Sequence, residues 1–336
     1  MTRYKTTLRD LAFELGVSQS TVSRALNNDQ RISEKTRKAV QELAKKLDYA
    51  PNPFALKLLK NESNSIGLIL PEFKHHFFAN VLEGIHHVVS DNGFQLLIHT
   101  HHGDAEKEIK YVKFLNNLMV DGIITCYSKG SDNFDHYKTL VEESIPLVFI
   151  DRLCEDIDAT SVITDDFSGA VEAVNYLVKT GCRHIAHFMG PENLSTSFSR
   201  LTGYKEGLLK NGIRHTAVLE WEEEKERYRE HITQFLSAHK TDAIFCFNDY
   251  IAYELLLILE KTGRKVPDDV SVIGFSNEPI SEYFRPRIST VAQPATLMGE
   301  RAAHILIDTI RHPAKENRLS SCLPTELIIR ETTKPL

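Results

Sequence analysis

From Ser65 onward, apolar runs of strand length alternate with helical patterns: SIGLIL and a helix, FQLLIH and a helix, DGIITC and a helix, LVFID with VIT and a helix, HIAHF and a helix, AIFCF and a helix, then SVIGF. A run that is continuously rather than alternately apolar suits a strand buried on both faces, and such strands belong to mostly parallel sheets covered by helices. The pattern predicts an α/β body, and its length of roughly 270 residues predicts two doubly wound lobes. Part of it repeats: SIGLIL with a helix ending near Asn92-Gly93, and HIAHF with a helix ending near Asn211-Gly212, are parallel strand–loop–helix–glycine units. In two such lobes the carboxyl ends of the strands face a cleft, where a small ligand binds and hinge closure follows. None of the 16 glycines falls in G-x-G or G-x-x-x-x-G-K, so no dinucleotide fingerprint or phosphate loop is present.

The first sixty residues follow other rules. In TLRDLAFELGVSQSTVSRALN, Leu8, Leu11, Ala12 and Leu15 recur at helical spacing behind Thr7 as N-cap, and Gly16 stands where a left-handed residue ends a helix. Val17 turns inward. Ser18 caps a second helix that sends Val22, Ala25 and Leu26 inward and leaves Gln19, Ser20, Ser23 and Arg24 outward. A third run after Ser33 places Val40, Leu43, Ala44 and Leu47 on one side. Two helices joined by a glycine turn fit the helix-turn-helix, whose second helix lies in the DNA major groove. A glutamine amide pairs bidentately with adenine and an arginine fork with guanine, so Gln19 and Arg24 suit base reading, with Ser20 beside them. A solvated helix face is the plainer reading of the same residues.

Charge divides the chain in the same place. Residues 1–61 carry 12 Lys and Arg against 6 Asp and Glu, leaving 28 against 40 for the rest and a net charge of −6. A basic head on an acidic body fits contact with a polyanion, or a merely solvated excess. Between them, APNPFALKLLKNESNS holds two prolines around a stretch too short to be a stable isolated helix, which is expected to fold only when docked on DNA or on a second copy. An apolar side chain there, with Leu58 the best placed, can wedge into the minor groove. These readings divide the chain into a head at residues 1–50, a hinge helix or linker at 51–62 and an effector-binding and dimerisation domain at 63–336.

TLRDLAFELGVSQSTVSRALNN and RISEKTRKAVQELAKKLDYAPNPFA resemble the head and hinge of the LacI/GalR family of bacterial transcription regulators. The resemblance continues through HFFANVLEGI, LVFIDR, STSFSRLTGYKEGL, FCFNDYIAYELLLILEKTGRKVPDDVSVIGFSNEPI and LPTELIIRE, which are similar to that family's periplasmic-binding-protein-like effector domain. It implies major-groove contacts at Gln19, Ser20 and Arg24 and an intercalating leucine at Leu58. The full set expected at DNA is Thr7, Leu8, Ser18, Gln19, Ser20, Thr21, Arg24, Asn27, Ser33, Thr36, Asn52, Ala55 and Leu58. Several relatives carry a basic residue after the wedge leucine, where this chain has Leu59.

For the cleft, the strand ends and following loops nominate Phe77, Phe78, Asp151, Arg152, Thr196, Arg200, Asn248, Asp249, Ser276 and Asn277. Aromatic rings with carboxylates and an arginine suit a polyhydroxylated ligand, although an Asp after a strand equally caps the next helix. The resemblance implies effector contacts at Phe77, Asp151, Arg200 and Asn248, with Thr196 and Asp249 beside them. Many sugar-sensing relatives have an aspartate where this chain has Ser276, which leaves the ligand class open with sugar foremost.

The whole is expected to be a homodimeric regulator, most simply a repressor, on a pseudo-palindromic double-stranded DNA operator. Five widely spaced cysteines without a C-x-x-C pair read as buried thiols, and the histidines at 75–76, 86–87, 99 and 101–102 read as solvated rather than as metal ligands. No metal, no cofactor and no catalysis are expected, since G-x-S-x-G and H-E-x-x-H do not occur. With neither a signal-peptide core nor a long uncharged apolar run, a cytoplasmic protein without membrane contact is expected. A solute-binding protein and a sugar-processing enzyme are the rival classes.

Overall fold

The computed structural model describes residues 6–49, 63–313 and 320–336. The expected hinge, with Asn52, Ala55 and Leu58, lies outside the described residues. Contacts divide the chain into two compact units, Met1–Ser63 and Asn64–Leu336.

The smaller unit holds three helices, α1 (Leu8–Leu15), α2 (Gln19–Leu26) and α3 (Glu34–Lys46). Local chemistry fixes their ends. Thr7 and Asp10 form a reciprocal capping box at α1, Gly16 ends it at φ 61°, and Ser18 and Ser33 accept from the backbone N–H groups of Thr21 and Thr36. Leu11, Ala12, Val22, Ala25, Val40 and Ala44 form the core, and Leu8, Leu15, Val17, Leu26 and Leu43 pack around it.

The larger unit is built on two six-stranded sheets. The first contains β1 (Ser65–Leu70), β2 (Gln95–Thr100), β3 (Gly122–Thr125), β4 (Leu147–Ile150), β5 (Thr160–Thr164) and β11 (Ser321–Leu323). The second contains β6 (Ile185–Phe188), β7 (Ala217–Leu219), β8 (Ala243–Cys246), β9 (Ser271–Phe275), β10 (Ser289–Ala292) and β12 (Glu326–Ile328). Their orders are β11-β5-β4-β3-β1-β2 and β12-β10-β9-β8-β6-β7, each doubly wound, and every pairing is parallel except β10 with β12. The chain passes from the first lobe to the second after β5, returns after β10, and crosses again between β11 and β12. The anticipated repeat is present: helices His76–Asp91 and Ser195–Lys210 each have 16 residues and end on Asn-Gly, with Gly93 and Gly212 at φ 80° and 72°.

In the first lobe, helices His76–Asp91 and Ala295–Arg311 cross backbone against backbone. A Cβ on Gly84 would sit 2.1 Å from the Thr296 carbonyl oxygen, and one on Gly299 2.1 Å from that of Val81, so only glycine allows the approach.

Three expectations need correction. FQLLIH forms β2, but β2 is an edge strand and is half-exposed along its length, with Ile98 in solvent. Cys322 is exposed because it lies on the opposite edge strand, while Cys126, Cys154, Cys182 and Cys246 are buried. His101 is fully buried: its Nδ1 accepts from the Gly103 N–H at 3.0 Å, which leaves Nε2 to donate to the Cys126 carbonyl at 3.0 Å. Among the described residues, no helix is long and apolar enough to cross a membrane.

Candidate functional site

In the head, α2 presents Gln19, Ser20 and Arg24 to solvent, and Asn27 caps its exposed end. Ser18 is bound up in capping: its hydroxyl lies 2.8 Å from those of both Ser20 and Thr21. Thr7 and Ser33 do the same for their helices, Ser33 with the half-buried Thr36, and Leu8 packs on the core. Lys45 and Lys46 are exposed on α3. One feature escaped the sequence reading. Arg31 grips Asp29 through Nε and Nη2 at 2.6–3.1 Å and holds that carboxyl far below its usual range, which fixes the turn between α2 and α3.

Between the lobes of the larger unit lies a cavity of about 370 Å³, within the usual size range of small-molecule sites. Phe77, Phe78, Asp151, Thr196, Arg200, Asn248 and Ser276 all line it. Asp249 does not: it is fully buried behind the wall, where Oδ2 accepts from the Glu278 N–H at 2.7 Å. Burial first, and then the charge of Glu278, push its carboxyl up to about 7. A Cβ on Gly274 would stand 2.1 Å from Asp249 Oδ1, so β9 carries glycine there to make room for this carboxylate.

Strand ends deliver the other groups. Asp151 follows β4 at φ 64° and Ser276 follows β9 at φ 95°, left-handed conformations that cost non-glycine residues energy and cluster at functional sites. Burial pushes the Asp151 carboxyl up to about 6 against the opposing pull of Arg152. Arg200, 3% exposed, spends its fork inside the protein: Nε and Nη2 meet Asp166 Oδ2 at 2.8 and 2.7 Å, and Nη1 donates to the Phe247 carbonyl at 2.6 Å. Its guanidinium carbon lies over the Phe247 and Phe275 rings, 4.4 and 3.8 Å from their centroids. Asn248 caps helix Asp249–Lys261, accepting from the Ile251 N–H at 2.9 Å, and the Ser276 hydroxyl donates to Gln293 Oε1 at 2.9 Å.

The cavity also gathers residues that the sequence reading passed over: Glu72, His75, His102, Lys129, Trp221, Phe247, Tyr250, Glu278 and Gln293. Most obey the rule already applied. His102, Lys129, Trp221 and Glu278 follow β2, β3, β7 and β9 by two to four residues, so a wider window past each strand would have found them. The histidines are separately engaged, His75 with Glu72 at 3.0 Å, His102 with the Thr100 hydroxyl at 3.0 Å, and His99 stacked on Tyr111. Among the described residues, no group of three or more His, Cys, Asp or Glu side chains gathers as a metal site.

Comparison with known proteins gives matches over both units. A family described as "Bacterial regulatory proteins, lacI family" matches residues 7–52, and one described as "Periplasmic binding protein-like domain" matches residues 174–333. The chain is 33% identical over 337 residues to the HTH-type transcriptional regulator DegA of Bacillus subtilis (strain 168), covering 99% of each protein. Among solved structures, it resembles a Lac repressor dimer bound to operator and the anti-inducer ONPF, at 25% identity, TM-score 0.83, and 98% and 99% coverage. It also resembles a complex of the transcriptional regulator CelR with cellobiose, at 29% identity, TM-score 0.73, and 98% and 100% coverage.

Proposed function

The chain belongs to the lacI family of bacterial regulatory proteins and is a DNA-binding transcriptional regulator, and from that premise we propose that it is a homodimeric repressor whose operator affinity is set by a sugar held between its lobes. The observation that carries the proposal is the convergence of Phe77, Phe78, Asp151, Thr196, Arg200, Asn248 and Ser276 on one interlobe cavity. Rings on one wall suit the apolar face of a sugar, and the polar groups suit its hydroxyls. The cellobiose complex of a relative supports the same ligand class. Residues 1–50 read the operator, 51–62 form the hinge, and 63–336 bind effector and dimerise.

In the head, Gln19, Ser20 and Arg24 read base edges, while Thr7, Leu8, Ser18, Thr21, Asn27, Ser33 and Thr36 make the further contacts to DNA. Asn52, Ala55 and Leu58 belong to the hinge. Two-fold protein symmetry calls for a pseudo-palindromic site. An effector that prefers one arrangement of the lobes shifts DNA affinity, typically by about 1–3 kcal/mol, or ~5–150-fold.

Selection of random duplexes on the full-length protein, followed by titration of the selected site with and without ribose, xylose, glucose and cellobiose, tests this reading. Inverted half-sites and a sugar-dependent change in affinity are expected. Recovery of no motif over scrambled competitor contradicts the operator; a motif indifferent to every sugar contradicts the effector class.

A further inference from the structure

We infer that the cavity admits uncharged polyhydroxylated ligands and rejects anionic ones such as sugar phosphates and uronates, and that Glu278 is the residue that sets this preference. The inference rests on the sugar-effector reading and narrows it.

A helix N-terminus opening into a ligand cavity ordinarily offers unpaired backbone N–H groups to an anion. Here that place is filled. Glu278, on the loop after β9 in the second lobe and 2% exposed, reaches across to the first residues of helix His76–Asp91 in the first lobe. The His76 N–H donates to its Oε2 at 2.8 Å and the Phe77 N–H to its Oε1 at 3.1 Å. The helix supplies no cap of its own, since His75 makes no side-chain capping bond. The Tyr250 hydroxyl donates to Oε2 at 3.3 Å. That hydroxyl is pushed up to about 12, first by burial and then by the Glu278 charge, and the same field opposes any second negative charge brought into the cavity.

The cations of the lining already face protein acceptors, although the buried Arg152 Nε makes no hydrogen bond. Arg200 is committed to Asp166 and the Phe247 carbonyl, Arg152 donates to the Tyr127 carbonyl and lies 3.8 Å from Asp151, and Lys129 bridges the lobes to Glu223 at 2.6 Å. A phosphate or carboxylate turning to Arg200 or Lys129 would have to displace a protein carboxylate, and one turning to the Arg152 Nε would meet the Asp151 carboxylate 3.8 Å from that same nitrogen. An uncharged hydroxyl can instead share them, because each carboxylate oxygen has more than one acceptor site. The first acidic side chain after β9 is thus Glu278, two residues beyond Ser276, and it is aimed at the opposite lobe.

Trp221, the single tryptophan of the chain, lines the cavity, so its fluorescence is the readout chosen for occupancy. The test titrates the full-length protein with matched probes, ribose against ribose 5-phosphate, glucose against glucose 6-phosphate, and galactose against galacturonate. Trp221 emission and the midpoint of thermal unfolding are both followed. At least one neutral sugar should bind about tenfold or more tightly than its charged counterpart, and Glu278→Gln should shrink that ratio. A wild-type protein that binds a phosphate or uronate as well as its neutral partner overturns the inference and leaves the sugar reading standing. Response to no probe of either kind overturns the sugar reading itself, and the inference with it. Glu278→Gln with the wild-type ratio removes Glu278 from the role; should that variant not fold, the wild-type titrations still decide between neutral and charged ligands.

Discussion

The head and the interlobe cavity both carry arginine and lysine, yet they use them in opposite ways. On the head, Arg24, Lys45 and Lys46 stand exposed over a core of only six buried side chains. In the cavity, Arg200 is buried and matched to internal oxygens, Arg152 is buried with Nη1 on the Tyr127 carbonyl, and Lys129 is tied across the lobes. Free surface cations attract a polyanion at long range and release its counterions, whereas desolvated and matched ones hold a fixed geometry. The first arrangement suits a duplex, the second a small uncharged molecule.

The contrast is sharpest where the head is weakest. Leu11→Ala removes a fully buried side chain from that small core and should cost about 2–5 kcal/mol. Loss of specific DNA retention with the thermal transition of the larger unit unmoved is the expected result; loss of both would show that the two units do not fold separately.

Asp249 probes the other side. Its carboxyl is raised from 3.8 to about 7 by burial first, with Glu278 adding to the shift and Arg330 opposing it. A raised carboxyl means that the folded state holds its proton more tightly than the unfolded chain does. The associated stability is complete below about pH 4 and is lost as pH rises through 7. Asp249→Asn stays neutral and can still accept from the Glu278 N–H. Its stability relative to wild type should therefore grow from pH 4 to 7 and then level, by up to about 4 kcal/mol at ~1.4 kcal/mol per pH unit. Urea midpoints across that range measure it, and a difference flat with pH contradicts the assignment.

Arg24→Ala should cost about 1–3 kcal/mol of operator affinity and relax one base position, while removal of Lys46 should lower the salt dependence without altering base preference. Titrations on a selected site and its point variants separate the two. The smallest effect expected is at Gly16, whose φ of 61° makes Gly16→Ala cost about 1–2 kcal/mol of head stability by thermal melting.

What the sequence revealed followed from short-range chemistry. Thr7, Ser18 and Ser33 announce the three head helices because a cap and a periodic apolar face are local signals. SIGLIL, DGIITC and AIFCF announce buried strands in the same way. Edge status is not local. FQLLIH is as apolar as its neighbours, and only the strand order, with β2 outermost, exposes it. The short strands β7, β10, β11 and β12 and the three crossings between lobes were equally hidden, because sheet membership depends on contacts far apart in sequence. At the cavity, Phe77 and Asp151 were legible as strand-end residues. Glu278 lay within a wider window past β9, but its role was not legible, since its partners His76 and Phe77 lie about 200 residues away and belong to the other lobe. Asp249 misled for a related reason: its place after a strand suggested the cleft, but Gly274 leaves a space behind the wall that it fills.

The most direct test of the account follows fluorescence anisotropy of the full-length protein on its selected operator while a neutral sugar that perturbs Trp221 is added, in wild type and in Asp151→Asn. Operator affinity should change by about fivefold or more in the wild type. In the variant it should change far less, with binding in the absence of sugar retained. A sugar that fills the cavity and leaves operator affinity untouched would contradict the coupling on which the function depends.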